Sequence, residues 1–114
     1  MITVPDLLNH YPCRLLAGVP DKERAVSGGY ACDMLSWVMS RLETGDVWLT
    51  ILNSINVIAV ASLADCACVL LTEGVVMEQE ILDKAVEKNL VILGTDLPTY
   101  EAAVALNQVL QTGL

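Results

Sequence analysis

From Asp46 onward the chain alternates short apolar runs with segments of helical length, and few folds accept that pattern. Val47 to Leu52 is a β-rich run after the turn Gly45-Asp46, Ile55 to Asp65 has helical length, and Ala67 to Leu71 is again short and apolar. Glu78 to Asn89 then places Ile81, Leu82, Ala85 and Val86 at helical spacing, with Glu80 four residues before Lys84 and Asn89 as a left-handed stop. Leu90 to Leu93 is a further apolar run, and Pro98 marks the start of a last helix reaching about Gln111. Apolar runs without alternation are strands covered on both faces. The expected class is therefore α/β: a three-layer βαβαβα unit with a mainly parallel sheet, right-handed crossovers and helices on its faces.

The first part of the chain reads less regularly. Val4 to Asn9, with Asp6 near its start, is a short helix ended by Tyr11-Pro12. Cys13 to Ala17 and Arg24 to Ser27 are two short strands on either side of a polar turn through Pro20 and Asp21. Gly28-Gly29 permits a backbone path that a Cβ would obstruct, and Asp33 can cap a helix from Met34 to about Leu42, closed near Thr44-Gly45. In that helix Met34, Leu35, Trp37, Val38, Met39 and Leu42 cover more than one stripe, which predicts burial on more than one side. With no repeat, linker or low-complexity tract, residues 1–114 read as one domain, long enough to bury roughly two-thirds of its unfolded surface.

The hydrophobic fraction is high, 54%, and asks for an explanation. A membrane span needs about 18 apolar residues, whereas the best run, Ile55 to Ala64, is interrupted by Asn56 and Ser62. It is a buried segment. Met1 to Pro12 carries no Lys or Arg of the kind that precedes a secretory signal, so the expected location is cytoplasmic and the four cysteines are expected as reduced thiols. Fourteen acidic against six basic side chains, a net charge of −8, exclude nucleic acid and anionic membrane as main partners. The surplus apolar surface then points to a second subunit, a homodimer, with Met34, Trp37 and Val38 on one helix and Ile55 and Ile58 on the next as candidate interface residues.

Ligands of open parallel α/β sheets bind beyond the carboxyl ends of the strands. The loops there hold Asn53, Ser54 and Asn56, then Thr72, Glu73 and Gly74, then Gly94, Thr95 and Asp96. These residue types also serve as caps and turn formers, but backbone amides at helix starts on that edge could hold a small metabolite or nucleotide. Ser27-Gly28-Gly29 is a second candidate, where backbone can approach a ligand closely. Its spacing is neither a dinucleotide fingerprint nor a phosphate loop, and no Gly-Lys-Ser or Gly-Lys-Thr run occurs, so an ATP-dependent phosphotransferase lacks its usual parts. His10, the one histidine, reads as a helix-terminal surface residue rather than a triad member. Cys66 and Cys68 sit two apart at a strand start and so on one face, as buried thiols or, with other ligands, a metal pair. The reading is a non-enzymatic domain with no cofactor and no metal. The alternative is a small metal-assisted hydrolase or transferase using Glu73 or Asp96.

The blocks Arg24-Ala25-Val26-Ser27-Gly28-Gly29-Tyr30, Asp33-Met34-Leu35-Ser36-Trp37-Val38-Met39, Gly45-Asp46-Val47-Trp48-Leu49-Thr50 and Asn56-Val57-Ile58-Ala59-Val60-Ala61, in that order, resemble the DRTGG domain. The likeness runs across nearly the whole chain to Gly94-Thr95 and Tyr100-Glu101. Ser27-Gly28-Gly29 stands for the motif's Thr-Gly-Gly, Arg24 is displaced from the Asp-Arg spacing, and Ser54 stands where relatives often carry a histidine. The resemblance implies an α/β domain similar to the N-terminal domain of HPr kinase/phosphorylase, used as a regulatory or interaction module. It implies nucleotide-sensing company and dimer contacts in relatives, and no kinase activity, since that resides in a second domain with a phosphate loop.

Overall fold

Thr3 and Asp6 cap each other at the start of the chain. The Thr3 amide donates to the Asp6 carboxylate at 2.9 Å and the Asp6 amide donates back to Thr3 Oγ1 at 3.4 Å, which satisfies donors that the first turn leaves free. Helix α1 (Val4–His10) follows. The computed structural model describes residues 1–113. After α1 come β1 (Arg14–Ala17), β2 (Gly28–Ala31), α2 (Leu35–Arg41), β3 (Asp46–Thr50), α3 (Ile55–Ala64), β4 (Cys68–Leu71), α4 (Gln79–Glu87), β5 (Ile92–Gly94) and α5 (Thr99–Thr112).

The five strands form one sheet in the order β1-β5-β4-β3-β2. β2 to β5 are parallel, and β1 closes the far edge antiparallel to β5 with an irregularity between Leu15 and Ala17. Two cores flank the sheet. On one side Trp48, Val69, Leu71 and Ile92 pack against Val38, Leu42, Val57, Ile58, Val60, Ala61 and Ala85 from the three crossover helices. On the other, Val47, Leu49, Cys68, Leu70 and Leu93 pack against Val4 and Leu7 of α1 and Ala102 and Leu106 of α5. The alternation of neighbours such as Val47 and Trp48 between the two clusters is the period of two expected of a strand covered on both faces. Each fully buried aliphatic side chain contributes about 1.5–3 kcal/mol. The α/β, mainly parallel three-layer class expected from the sequence is the one observed.

Several local expectations change. The strand expected over Arg24–Ser27 is displaced: Ala25 makes only an isolated bridge to Thr3, and the sheet begins at Gly28, which pairs with Asp46. The glycine pair is thus strand rather than turn. A Cβ on Gly29 would come within 2.9 Å of Leu106 Cδ2, so α5 packs close over β2 because no side chain intervenes. Asp33 is not the cap of α2; Met34 holds that place without a side-chain bond. Nor is α2 buried on several sides: Val38 is sealed, whereas Met34, Trp37 and Met39 are 56%, 52% and 61% exposed. Val38 and Ile58 belong to the core and cannot face a partner subunit in this fold. Lys84 pairs with Glu87 at 3.5 Å instead of with Glu80. Cys66 and Cys68 lie in different cores, because the chain reaches Cys66 before the strand's alternation begins at Cys68. Asn89 does adopt the left-handed conformation, at φ 58°.

Candidate functional site

Three threonines stand where the parallel strands end: Thr50 closes β3, Thr72 follows β4 and Thr95 follows β5. All three are buried. Their backbones continue the sheet, with the Thr72 amide donating to Thr50 O at 3.1 Å and the Thr95 amide to Leu71 O at 2.9 Å. Each hydroxyl is used to tie down a loop. Thr50 Oγ1 donates to the Asp33 carboxylate at 2.7 Å and accepts from the Leu52 amide at 3.1 Å. Thr95 Oγ1 repeats the device, donating to Pro12 O at 2.7 Å and accepting from the Leu97 amide at 3.2 Å. Thr72 Oγ1 and Thr99 Oγ1 share a bond of 2.7 Å. The amide two residues on, bonded by a hydroxyl, is a turn that threonine favours. A threonine closing an apolar run is therefore a readable signal, although Thr50 falls inside the run Val47 to Leu52 expected as a strand.

The carboxylates of this edge are also engaged. Glu73, at φ 60°, accepts the Thr99 amide at 2.9 Å, and Asp96 pairs with Arg14 at 3.2 Å on the surface. The two acids that a metal-assisted hydrolase would use thus serve a helix start and a surface ion pair. Asn53 donates through Nδ2 to Val76 O at 3.0 Å. With Ser54 it borders a depression of about 540 Å³ beside Glu78, Glu80 and Lys84, and Asn56 is exposed in the first turn of α3. Thr95 and Asp96 border a separate depression of about 330 Å³ with Arg14. Thr72, Glu73 and Gly74 border neither.

Ser27, Gly28 and Gly29 lie far from these loops, because they open β2 at the amino end of the parallel strands. The Ser27 amide donates to Gly45 O at 2.9 Å, and Gly28 pairs with Asp46, the first residue of β3. Gly29 floors a shallow apolar groove of about 150 Å³ with Ala31, Leu49 and Leu106. The two candidate sites are therefore at opposite ends of the sheet, and the carboxyl-edge residues are themselves divided between separate depressions.

At the amino end of the sheet lies a larger cleft, of about 670 Å³. Asp21 and Arg24 line it from the β1–β2 connection, Ser62 and Asp65 from the end of α3, and Lys88 and Asn89 from the end of α4. Arg24 is its anchor: Nη1 donates to Cys66 O at 2.8 Å, and Nη2 bonds the Asp65 carboxylate. Asp65 and Asn89 are both left-handed, at φ 53° and 58°, and end their helices there. Beside the cleft the Cys66 thiol, whose sulfur donates to Cys68 O, is pushed by burial up to about 12. Nothing in the sequence marks this cleft, because the general rule for parallel sheets points to the other end.

The family model of the DRTGG domain matches residues 6–109. The chain belongs to the DRTGG domain family. This DRTGG domain is similar in fold to a crystal structure of the CBS and DRTGG domains of the regulatory region of Clostridium perfringens pyrophosphatase, complexed with the activator diadenosine tetraphosphate. The TM-score is 0.71 at 14% sequence identity, over 93% of this chain and 46% of that one. The DRTGG domain described here thus spans less than half the length of that chain. A search of curated proteins gave no match. Among the described residues of the domain, no helix is long and apolar enough to cross a membrane.

Proposed function

We propose that this DRTGG domain is a non-catalytic regulatory module that works as a homodimer and binds a small effector of the metabolite or nucleotide class. The observation that carries the reading is the fold shared over 93% of the chain with a regulatory region bound to its activator. The engagement of Thr50, Thr72, Thr95, Glu73 and Asp96 in internal bonds supports a non-catalytic role, since a reacting group must be free to meet substrate. For the dimer, support comes from the exposed side chains of Met34, Trp37 and Met39 at and along α2, and from Ile55, 49% exposed on the neighbouring α3. A run of large apolar side chains in water is the ordinary mark of an interaction surface.

Sedimentation equilibrium at tens of micromolar protein tests the dimer. A mass near twice 12.3 kDa, halved in a folded Trp37→Asp variant, is expected; a monomer in the unaltered protein overturns that half. Calorimetric titration with a panel of nucleotides and phosphorylated metabolites tests the effector. Absence of binding by all of them at millimolar concentration leaves an interaction role alone.

A further inference from the structure

The cleft at the amino end of the sheet lies opposite the edge where parallel sheets ordinarily bind ligands, and its chemistry is mixed. Its 670 Å³ falls within the few hundred to about 1,000 Å³ typical of small-molecule sites. Arg24 and Lys88, two of the six basic residues of an otherwise acidic chain, line it together with Asp21 and Asp65. The carboxyl ends of α3 and α4 also finish there, so the negative ends of both helix dipoles lie beside the space. An anion alone would gain from the two cations and lose to the dipoles and acids. A ligand that carries N–H donors at one end and negative charge at the other satisfies both halves.

We infer that this amino-end cleft is a mononucleotide site. Lys88 and the spare N–H donors of Arg24 meet the phosphate, and Asp21 and Asp65, whose Oδ1 atoms bond the Glu23 amide and Arg24, accept through Oδ2 from the amino and imino groups of the base. Arg24 is held in place for this by its bonds to Cys66 O and Asp65, and a guanidinium carries more donors than those bonds use. Lys88 is exposed, and α4 meets its own ion-pairing needs through Lys84 and Glu87. The competing edge offers less: its three buried threonines are occupied by loops. The inference rests on the proposed effector role and assigns that effector a chemical class and a place.

The test is a titration of the isotope-labelled full chain with AMP and GMP, with the matching nucleosides, and with inorganic phosphate, followed by amide chemical shifts. Nucleotides are expected to shift amides of residues 18–24, 62–67 and 88–91, and to bind more tightly than nucleoside or phosphate alone. Lys88→Ala is expected to weaken nucleotide binding roughly tenfold, the loss of one charge-assisted contact. Lys84→Ala, at the carboxyl-edge depression, is expected to leave it unchanged. Shifts centred on 53–56 and 78–84, or a Lys88→Ala protein that binds as the parent does, overturn the site while leaving the effector role standing. Tight binding of phosphate alone overturns the nucleotide class. Binding confined to some other metabolite of the calorimetric panel removes the nucleotide site and keeps the effector; binding of nothing removes both.

Discussion

The Asp33 carboxylate accepts the hydroxyl of Thr50 at 2.7 Å and, through the same oxygen, the Ile51 amide at 3.0 Å. One side chain so joins the segment leaving β2 to the end of β3. Thr50 is wholly buried, and Asp33→Ala would leave its hydroxyl without that acceptor. A loss of about 1–3 kcal/mol is expected, read from urea unfolding. A variant of parental stability would mean that the bond is replaced by solvent.

Tyr11 ends α1 and reaches across to α5, where its hydroxyl donates to Ala102 O at 2.6 Å in a buried setting. Tyr11→Phe keeps the ring and removes the donor. The expected cost is about 0.5–1.5 kcal/mol, with an unchanged far-ultraviolet spectrum. Thermal unfolding measures it, and a midpoint at or above the parent's would contradict the role.

Gly29 floors the contact between β2 and α5. An added Cβ would stand 2.9 Å from Leu106 Cδ2 and 3.5 Å from Leu49 Cδ1. A terminal methyl can turn aside, so Gly29→Ala should cost little. Gly29→Val overfills the space and should cost about 1–3 kcal/mol despite the strand preference of valine. Equal stability of the two variants would show that α5 yields freely.

Alkaline pH should destabilise the fold. Burial raises Cys13 from 9.0 to about 11 and Cys66 from 9.0 to about 12, and it raises Cys68 as well. Above pH 9.0 the unfolded chain releases thiol protons that the folded chain retains, so stability falls as pH rises. It is fully present below 9.0 and declines through the window up to about 12. Urea midpoints taken across that window, with and without Cys66→Ala, test this. A flat profile in the parent, or an equally steep one in the variant, refutes it.

How much of this could be read from the residues varies along the chain. From Asp46 onward it was nearly everything, because the apolar runs there are strand-length or helix-length units whose burial on both faces leaves few architectures open. The same physics failed between Arg24 and Leu42. There the strand is Gly28–Ala31, a segment with two glycines that no propensity favours, and its place is set by pairing with Asp46–Leu49 and by the approach of Leu106. Asp33 looked like a helix cap because aspartate before an apolar helix usually is one. Its carboxylate instead found a buried hydroxyl and an amide seventeen and eighteen positions away.

The candidate site divides likewise. The sequence by itself determined which side chains follow the strands, since alternation places a loop after each. Only the tertiary structure decided that Thr50, Thr72 and Thr95 are occupied by neighbouring segments, that Ser27-Gly28-Gly29 lies at the opposite end of the sheet, and that Arg24 bonds Asp65 at a cleft that Lys88 also lines. The reason is distance along the chain. Strand and helix periods act over a few residues, whereas these groups meet only when segments separated by tens of residues are packed on one sheet.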